Sequence, residues 1–510
     1  MLPKTQTPHH HPRHSTSRGP SPSLLVFTML LGFSSGILAG FLYQQHRRIG
    51  AGLSPQPEGA LPAAWPNPGG AAAGTLAGAQ PDLRIVRHDF SGGASSGGAS
   101  GGASSGAASS GGGSSGGSGA ASSSGGGGGA SSSGAAAGGG GGGGGGVVRT
   151  SHYSNSNRTG LARADAARIG EALKAAARRH KGDTIHTLFT SNGSPYQNIQ
   201  GRIMYASYKL AQAMPGGEKL TGFTRILHRT TDDAVVGEIP TFRAYPLQPA
   251  CDTWCEFPVK DRANAVVQWL MAAEGEPSMV KGAWLLMLES DYVWRAPVQA
   301  PGDAFDPSVQ GLGFVYDYIN PAYPTVAPSI VEMCPTCDPE KVPRSGPAPV
   351  LIRPHEMAVA APDWEVYSAW IEGNKRARTN LDWVREMYAW CVAVAVNNVS
   401  IAHEAPPAST LLVQPPHDLS AGRAAIYHYT WGSIFKEGER EAWRFDKRDY
   451  TAEGDALKVP HFPLPPPWRE GAFKLQDGLD VGRSLHETLT DMLTVINRAV
   501  DTLPDLTPPA

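Results

Sequence analysis

The stretch Trp284-Leu-Leu-Met-Leu-Glu289-Ser290-Asp291-Tyr292-Val293-Trp294 decides the fold. Its first half is an apolar run of strand length that stops at two carboxylates spaced i, i+2, and a second apolar, aromatic segment follows. In a strand, residues i and i+2 point to the same face. Glu289 and Asp291 therefore project together from the end of a buried strand, where α/β sheets place their ligands. Two hard oxygen donors on one edge suit Mg²⁺ or Mn²⁺, with a substrate diphosphate completing the shell. Paired acids at strand ends are also common as solvated loop charges, so the spacing alone does not decide.

Working outward, the preceding hundred residues read as alternating strands and helices. Thr184-Ile-His-Thr-Leu-Phe-Thr190 is β-branched and apolar and ends in the turn residues Ser191-Asn192-Gly193-Ser194-Pro195. Tyr196–Met214 follows as a helix with Ile199, Ile203, Tyr205, Tyr208 and Leu210 roughly periodic, and Phe223–Leu227 is a second strand. Strand, loop, helix and strand in that order open a parallel α/β sheet. Helix Arg262–Ala273, with Val266, Val267, Trp269 and Leu270, leads directly into the Glu289/Asp291 strand. Downstream, Asp382–Val396 is a helix with one apolar side made of Trp383, Met387, Trp390, Cys391 and Val394. Ser484-Leu-His-Glu487 has the spacing of a capping box and opens a final helix striped by Leu485, Leu489, Met492, Ile496 and Val500.

Composition divides the chain. Glycine makes up 62 of 510 residues and is concentrated in the first third, so the globular part spans about 320 residues, residues 183–505. A formal net charge of -2 excludes a general nucleic-acid binder, which needs a basic surface. Residues 1–23 read as a polar tail with His9, His10, His11 and His14. Leu24–Tyr43 is uncharged and meets the ~20 residues a membrane helix requires, with Tyr43, His46, Arg47 and Arg48 at its end. We read it as an uncleaved signal anchor, since the core of a cleaved signal peptide is shorter and begins nearer the N-terminus. Residues 44–160 are a stem, Pro-rich first and then almost pure Gly, Ser and Ala, unable to bury a core. Ala162–His180 is a basic, Ala-rich helix, either the end of that stem or the lead-in to the domain.

The five cysteines form Cys251-x-x-x-Cys255, Cys334-x-x-Cys337 and a lone Cys391. The pairs lack a zinc-ribbon context, so disulfides within or between them are expected in a lumenal domain. Cys391 is expected as a buried thiol. Asn157-Arg-Thr159 and Asn398-Val-Ser400 are glycosylation sequons, usable only in the secretory pathway.

A series of phrases in this domain resembles one family. They are Ser194-Pro-Tyr-Gln197, Gly201-Arg-Ile-Met-Tyr205, Gly222-Phe-Thr-Arg-Ile-Leu-His228, Glu238-Ile-Pro-Thr-Phe242, Val267-Gln-Trp-Leu270 and Leu288-Glu-Ser-Asp291. Glu386-Met-Tyr-Ala389, Gln414-Pro-Pro416, His428-Tyr-Thr-Trp-Gly432 and Trp443-Arg-Phe-Asp-Lys-Arg448 continue the series. In order and content they resemble the plant and green-algal hydroxyproline O-arabinosyltransferases and the related peptidyl serine α-galactosyltransferases. The resemblance implies a GT-A-like nucleotide-diphospho-sugar transferase fold, anchored as a type II protein in the Golgi or ER and retaining the configuration of a UDP-sugar. It implies an acceptor of the cell-wall, hydroxyproline-, proline- and serine-rich glycoprotein class. Glu289-Ser290-Asp291 departs from the acid-Pro-acid expected there, and Gly302–Pro349 has no counterpart in the pattern.

On that resemblance, Glu289, Asp291 and His428 are the candidate metal ligands, and Asp291 and Glu386 the catalytic residues. Glu386 would stabilise an oxocarbenium-like centre or act as nucleophile; a structural helix-surface glutamate is the competing reading. Tyr196, Gln197 and Arg202, after the first strand, fall where uracil and diphosphate would sit, while Arg444, Lys447 and Arg448 offer charge for the phosphates. Tyr205 and Tyr208 are expected in the core. Trp431, Phe435, Trp443 and Phe445 line an acceptor groove for a Pro-rich peptide or form ordinary core. Transfer of α-galactose to serine, and an inactive membrane-tethered lectin or scaffold, are the alternatives to arabinosyl transfer.

Overall fold

A computed structural model describes residues 163–253, 256–301 and 308–507. The expected tail, anchor and stem (residues 1–23, 24–43 and 44–160) and the Asn157 sequon lie outside the described residues. Among those described, no helix is long and apolar enough to cross a membrane.

The centre of the fold is a seven-stranded sheet. Its strands are β1 (Ile185–Ser191), β2 (Leu220–His228), β3 (Thr241–Ala244), β4 (Trp284–Leu288), β6 (Gly311–Phe314), β7 (Val350–Ile352) and β8 (Ile401–Glu404), in spatial order β3-β2-β1-β4-β7-β6-β8. The first four are mutually parallel, β7 runs antiparallel to both its neighbours, and β6 pairs parallel with β8. The apolar run does what its composition requires: every residue of β4 is buried, in the middle of the sheet. Each such side chain contributes roughly 1.5–3 kcal/mol relative to exposure. The order reverses between β1 and β4, because β2 and β3 extend one way from β1 and β4 lies on the other side. That reversal opens a crevice at the carboxyl ends of the two strands.

Two small sheets cover the carboxyl edge. One joins β5 (Tyr292–Trp294), β10 (Ile426–His428) and β9 (Leu412–Val413); the other joins β12 (Arg440–Phe445), β11 (Ser433–Glu437) and β13 (Lys474–Leu475). Glu289–Asp291 is thus a turn passing the chain from the main sheet to a smaller one, not a continuing strand.

Six longer helices surround the sheets: α1 (Arg163–Ala177), α2 (Pro195–Gln212), α3 (Arg262–Gly275), α4 (Pro354–Gly373), α5 (Arg385–Val396) and α6 (Arg483–Val500). Ile169, Leu173 and Ala176 of α1 are buried in the main core, so α1 belongs to the folded domain, which begins before residue 183. Helix α2 starts as its sequence dictates. Ser194 caps it and accepts from Gln197 N, and Pro195 occupies a first-turn position that needs no N–H donor. Gly193 precedes the cap at φ +70, where a Cβ would meet Asp233 Oδ2 at 2.7 Å.

Two local expectations are corrected. Ser484 is not a helix cap: α6 begins at Arg483 behind Gly482, and the Ser484 hydroxyl donates to the Leu419 carbonyl. Asp382–Val384 forms a separate 3₁₀ turn ahead of α5, entered through Asp382 at φ 49, which leaves Trp383 47% exposed rather than on the apolar side. Of the two readings open for the late aromatics, Phe435, Trp443 and Phe445 take the core one, buried in the cluster that includes α6. Cys334 and Cys337 are joined in a disulfide and Cys391 is a buried free thiol, as expected. Asn398 is exposed at the turn after α5.

Candidate metal and active site

The β4–β5 turn delivers Glu289 and Asp291 to the crevice, and β10, paired antiparallel with β5, delivers His428 opposite Tyr292. His428 Nε2 lies 3.2 Å from Asp291 Oδ2 and 3.7 Å from Glu289 Oε2. One donor atom from each of the three residues falls within 4.8 Å of the others. Cis donors around an octahedral cation with ~2.1 Å bonds sit about 3 Å apart, so two carboxylates and one imidazole converge closely enough for a divalent metal. His428 and Asp291 are almost fully buried, and the His428 ring packs on Tyr292 at 4.4 Å between centroids. That packing fixes the ring plane.

The charge pattern favours anions at this edge. Burial would raise the Asp291 carboxyl, but Lys447 and His428 attract and hydrogen-bond it, holding it well below the ordinary carboxylate range. Lys447, almost buried, pairs with Asp291 and is held above its ordinary value because that attraction outweighs desolvation. Tyr196 lies within electrostatic reach of Lys447, Arg448 and Tyr429. Tyr196, Lys447 and Arg448 therefore share one side of the triad. Arg448 is half exposed and pairs with Asp446.

Three candidates sit elsewhere. Arg202 is completely buried: its guanidinium donates to Glu238 at 2.6 Å, to the Ala456 and Leu457 carbonyls at 2.8 and 2.9 Å, and to the Pro504 carbonyl. It fastens α2 to the C-terminal segments and has no donor face for a phosphate. Gln197 spends its side-chain oxygen on Asn192 N at 2.6 Å, closing the turn after β1. Arg444 is an exposed residue of β12 paired with Asp449.

Glu386 is buried at the start of α5 and meets the triad through Arg262, which bonds Glu386 Oε2 at 3.4 Å and Glu289 Oε1 at 2.6 Å. Sequence reading took Arg262 only as the start of α3. A signal was present, since a cation in the first turn opposes the helix dipole and implies a partner strong enough to hold it there. Ser290 was likewise unexplained. Its hydroxyl donates to Gln200 on α2 at 2.8 Å, so the residue between the two acids is tethered to the helix by a hydrogen bond.

Burial raises the Glu386 carboxyl from 4.5 to about 7, against the opposing pull of Arg262. A carboxyl whose folded pKa exceeds its unfolded one binds protons more tightly when folded, so its contribution to stability falls as pH rises from 4.5 to about 7. Glu386→Gln is expected to flatten that part of the stability profile. Thermal melts of both proteins between pH 5 and 8 check it; equal slopes would contradict the assignment.

Comparison with known proteins follows the same lines. A family model described as "Hydroxyproline O-arabinosyltransferase family N-terminal domain" matches residues 185–404. Hydroxyproline O-arabinosyltransferase 1 of Arabidopsis thaliana is 33% identical over 302 residues, covering 56% of this chain and 74% of that protein. Hydroxyproline O-arabinosyltransferase NOD3 of Pisum sativum is 31% identical over 298 residues, covering 56% and 81%. A crystal structure of a glycosyltransferase involved in glycosylation of the major capsid of PBCV-1 aligns with 48% of this chain and 93% of its own, at 13% identity and a TM-score of 0.26, a likeness too low to support any inference.

Proposed function

This chain belongs to the hydroxyproline O-arabinosyltransferase family, and from that premise we propose that it transfers arabinofuranose from a UDP-sugar to hydroxyproline in a proline-rich glycoprotein. The observation that carries the proposal is the convergence of Glu289, Asp291 and His428 at the β1/β4 crevice. We further propose that these three hold Mn²⁺ or Mg²⁺, that the reaction retains anomeric configuration, and that the domain works in the lumen of the Golgi or ER behind the Leu24–Tyr43 anchor.

Cleavage of a sugar–diphosphate bond leaves charge on the diphosphate, and a divalent ion held by Glu289, Asp291 and His428 would supply Lewis-acid neutralisation of it. The chain's own residues do the rest. Asp291 stays ionised across the physiological range and so remains a donor. Lys447 and Arg448 would offer positive charge to a leaving diphosphate on the Tyr196 side. Arg262 fixes the rotamer of Glu289 while its other arm is held by Glu386, a positioning role that acts through the ligand rather than on the sugar.

Arg262→Met is accordingly expected to weaken Mn²⁺ binding roughly 10- to 100-fold, the usual effect of losing a ligand's supporting partner. Calorimetric titration measures it, and unchanged affinity would remove Arg262 from the site. The reaction itself is tested by incubating the full chain with Mn²⁺, UDP-arabinofuranose or UDP-galactose, and a peptide holding both hydroxyproline and serine. Mass spectrometry should find pentose on hydroxyproline. Hexose on serine would overturn the donor and acceptor, and no transfer from a folded protein would overturn the activity.

A further inference from the structure

Of the four aromatic residues read as acceptor groove or core, only Trp431 is partly exposed; the other three are core. Trp431 is not isolated. Its ring lies 6.1 Å from Tyr318 and 5.8 Å from His417, both edges of a small aromatic surface. A chain of packed rings joins it to the triad through the core: His428 packs on Tyr292, the buried Tyr292 and Tyr316 hydroxyls are 3.2 Å apart, and the Tyr316 ring is 5.0 Å from Tyr318. Tyr318 is held by its hydroxyl on Gln414 Oε1 at 3.4 Å, and His417 by Asp418 at 3.2 Å and Asp317 at 3.6 Å. These rings are therefore fixed before any ligand arrives.

Topology separates this surface from the phosphate side. Tyr316 and Tyr318 follow β6, Gln414 and His417 follow β9, and Trp431 follows β10. Tyr196 follows β1, on the opposite side of β4 from β6 in the sheet. The charge differs too. Asp317 and Asp418 flank the aromatic surface, paired with His417, whereas Lys447 and Arg448 flank the other side, so a diphosphate is favoured there and a neutral chain is accommodated here. Two residues beyond Tyr318 a cavity of about 250 Å³ opens, lined by Asn320, Pro321, Tyr323, Pro324, Val342 and Arg344. The Cys334–Cys337 disulfide braces the segment that leads to its far wall.

We propose that Tyr318, Trp431 and His417, continued by the cavity at Asn320–Arg344, form the docking surface for the acceptor: an extended, hydroxyproline-rich peptide. The chemistry matches. A polyproline II chain presents apolar pyrrolidine rings that dock on aromatic surfaces, and its rigidity lowers the entropic cost of binding. The two ring spacings together span no more than about 12 Å, the length of about four residues at 3.1 Å each. The cavity then takes the residues that follow. This inference rests on the transferase reading for its acceptor, but not for the existence of the surface.

The test uses the full chain and a short fluorescent peptide of consecutive hydroxyprolines, with anisotropy for binding and mass spectrometry for transfer. Trp431→Ala should weaken peptide binding, and raise the KM for peptide, about tenfold, the scale of one aromatic anchor, with the KM for the UDP-sugar as in the wild type. Trp431→Phe should restore most of the binding, and Tyr318→Ala should reproduce the loss. Equal peptide affinity in wild type and both alanine variants would overturn the proposal, as would a rise confined to the KM for the UDP-sugar. If the wild type binds the peptide through Trp431 yet transfers no sugar, the docking surface stands and the reaction assigned above falls.

Discussion

Asp291→Asn is expected to lower sugar transfer by about a thousandfold, the scale of removing a charged group that stabilises a developing anion in a buried site. Asparagine keeps the shape of the side chain and one acceptor oxygen but loses the charge that Lys447 and His428 face. The same substitution should lower stability at neutral pH. A carboxylate whose folded pKa is depressed contributes stability above its unfolded pKa and loses it as pH falls through the folded value. The melting temperatures of wild type and variant should therefore approach each other on acidification. Initial rates per folded molecule and melts at several pH values measure both effects; a variant retaining a tenth of the activity would remove Asp291 from the reaction.

The second large effect is structural. Arg202→Met should destabilise the domain by about 3–5 kcal/mol, because it strands a buried carboxylate on Glu238 and removes the guanidinium donor from the Ala456, Leu457 and Pro504 carbonyls, of which Leu457 keeps Leu506 N. For a domain of this size that corresponds to a fall in melting temperature of roughly 10 °C. Mn²⁺ affinity of the protein that remains folded should not change. A normal melt combined with a raised KM for the UDP-sugar would return Arg202 to the nucleotide site.

Arg202 also shows where sequence reading stops. Its position after the first strand correctly placed it near the crevice in the chain, but which face of α2 meets the ligand depends on what packs against the other face. Here that is the Ala456–Leu457 and Pro504 segment, 254 or more residues along the chain, whose carbonyls accept from the Arg202 guanidinium. The strand–helix–strand opening and the β4 run were legible because composition and period fix them locally. The triad was legible because two of its members are neighbours in sequence and the third follows an apolar strand within a recognisable phrase. Helix α4 was not found. It is apolar on several faces and contains Pro354 and Pro362, so it shows neither a clean stripe nor an unbroken run. The late aromatics could not be divided into core and surface by type alone. Burial separates them: Phe435, Trp443 and Phe445 are enclosed in the core that includes α6, whereas Trp431 keeps part of its surface exposed.

The most direct test of the metal assignment is pulsed paramagnetic resonance on the full chain loaded with Mn²⁺ and labelled with ¹⁵N-histidine. The account predicts a single directly coordinated histidine nitrogen, lost in His428→Gln, and a Mn²⁺ affinity that falls with Asp291→Asn. Bound Mn²⁺ with no histidine coupling, or coupling that survives in His428→Gln, would contradict a site built from Glu289, Asp291 and His428.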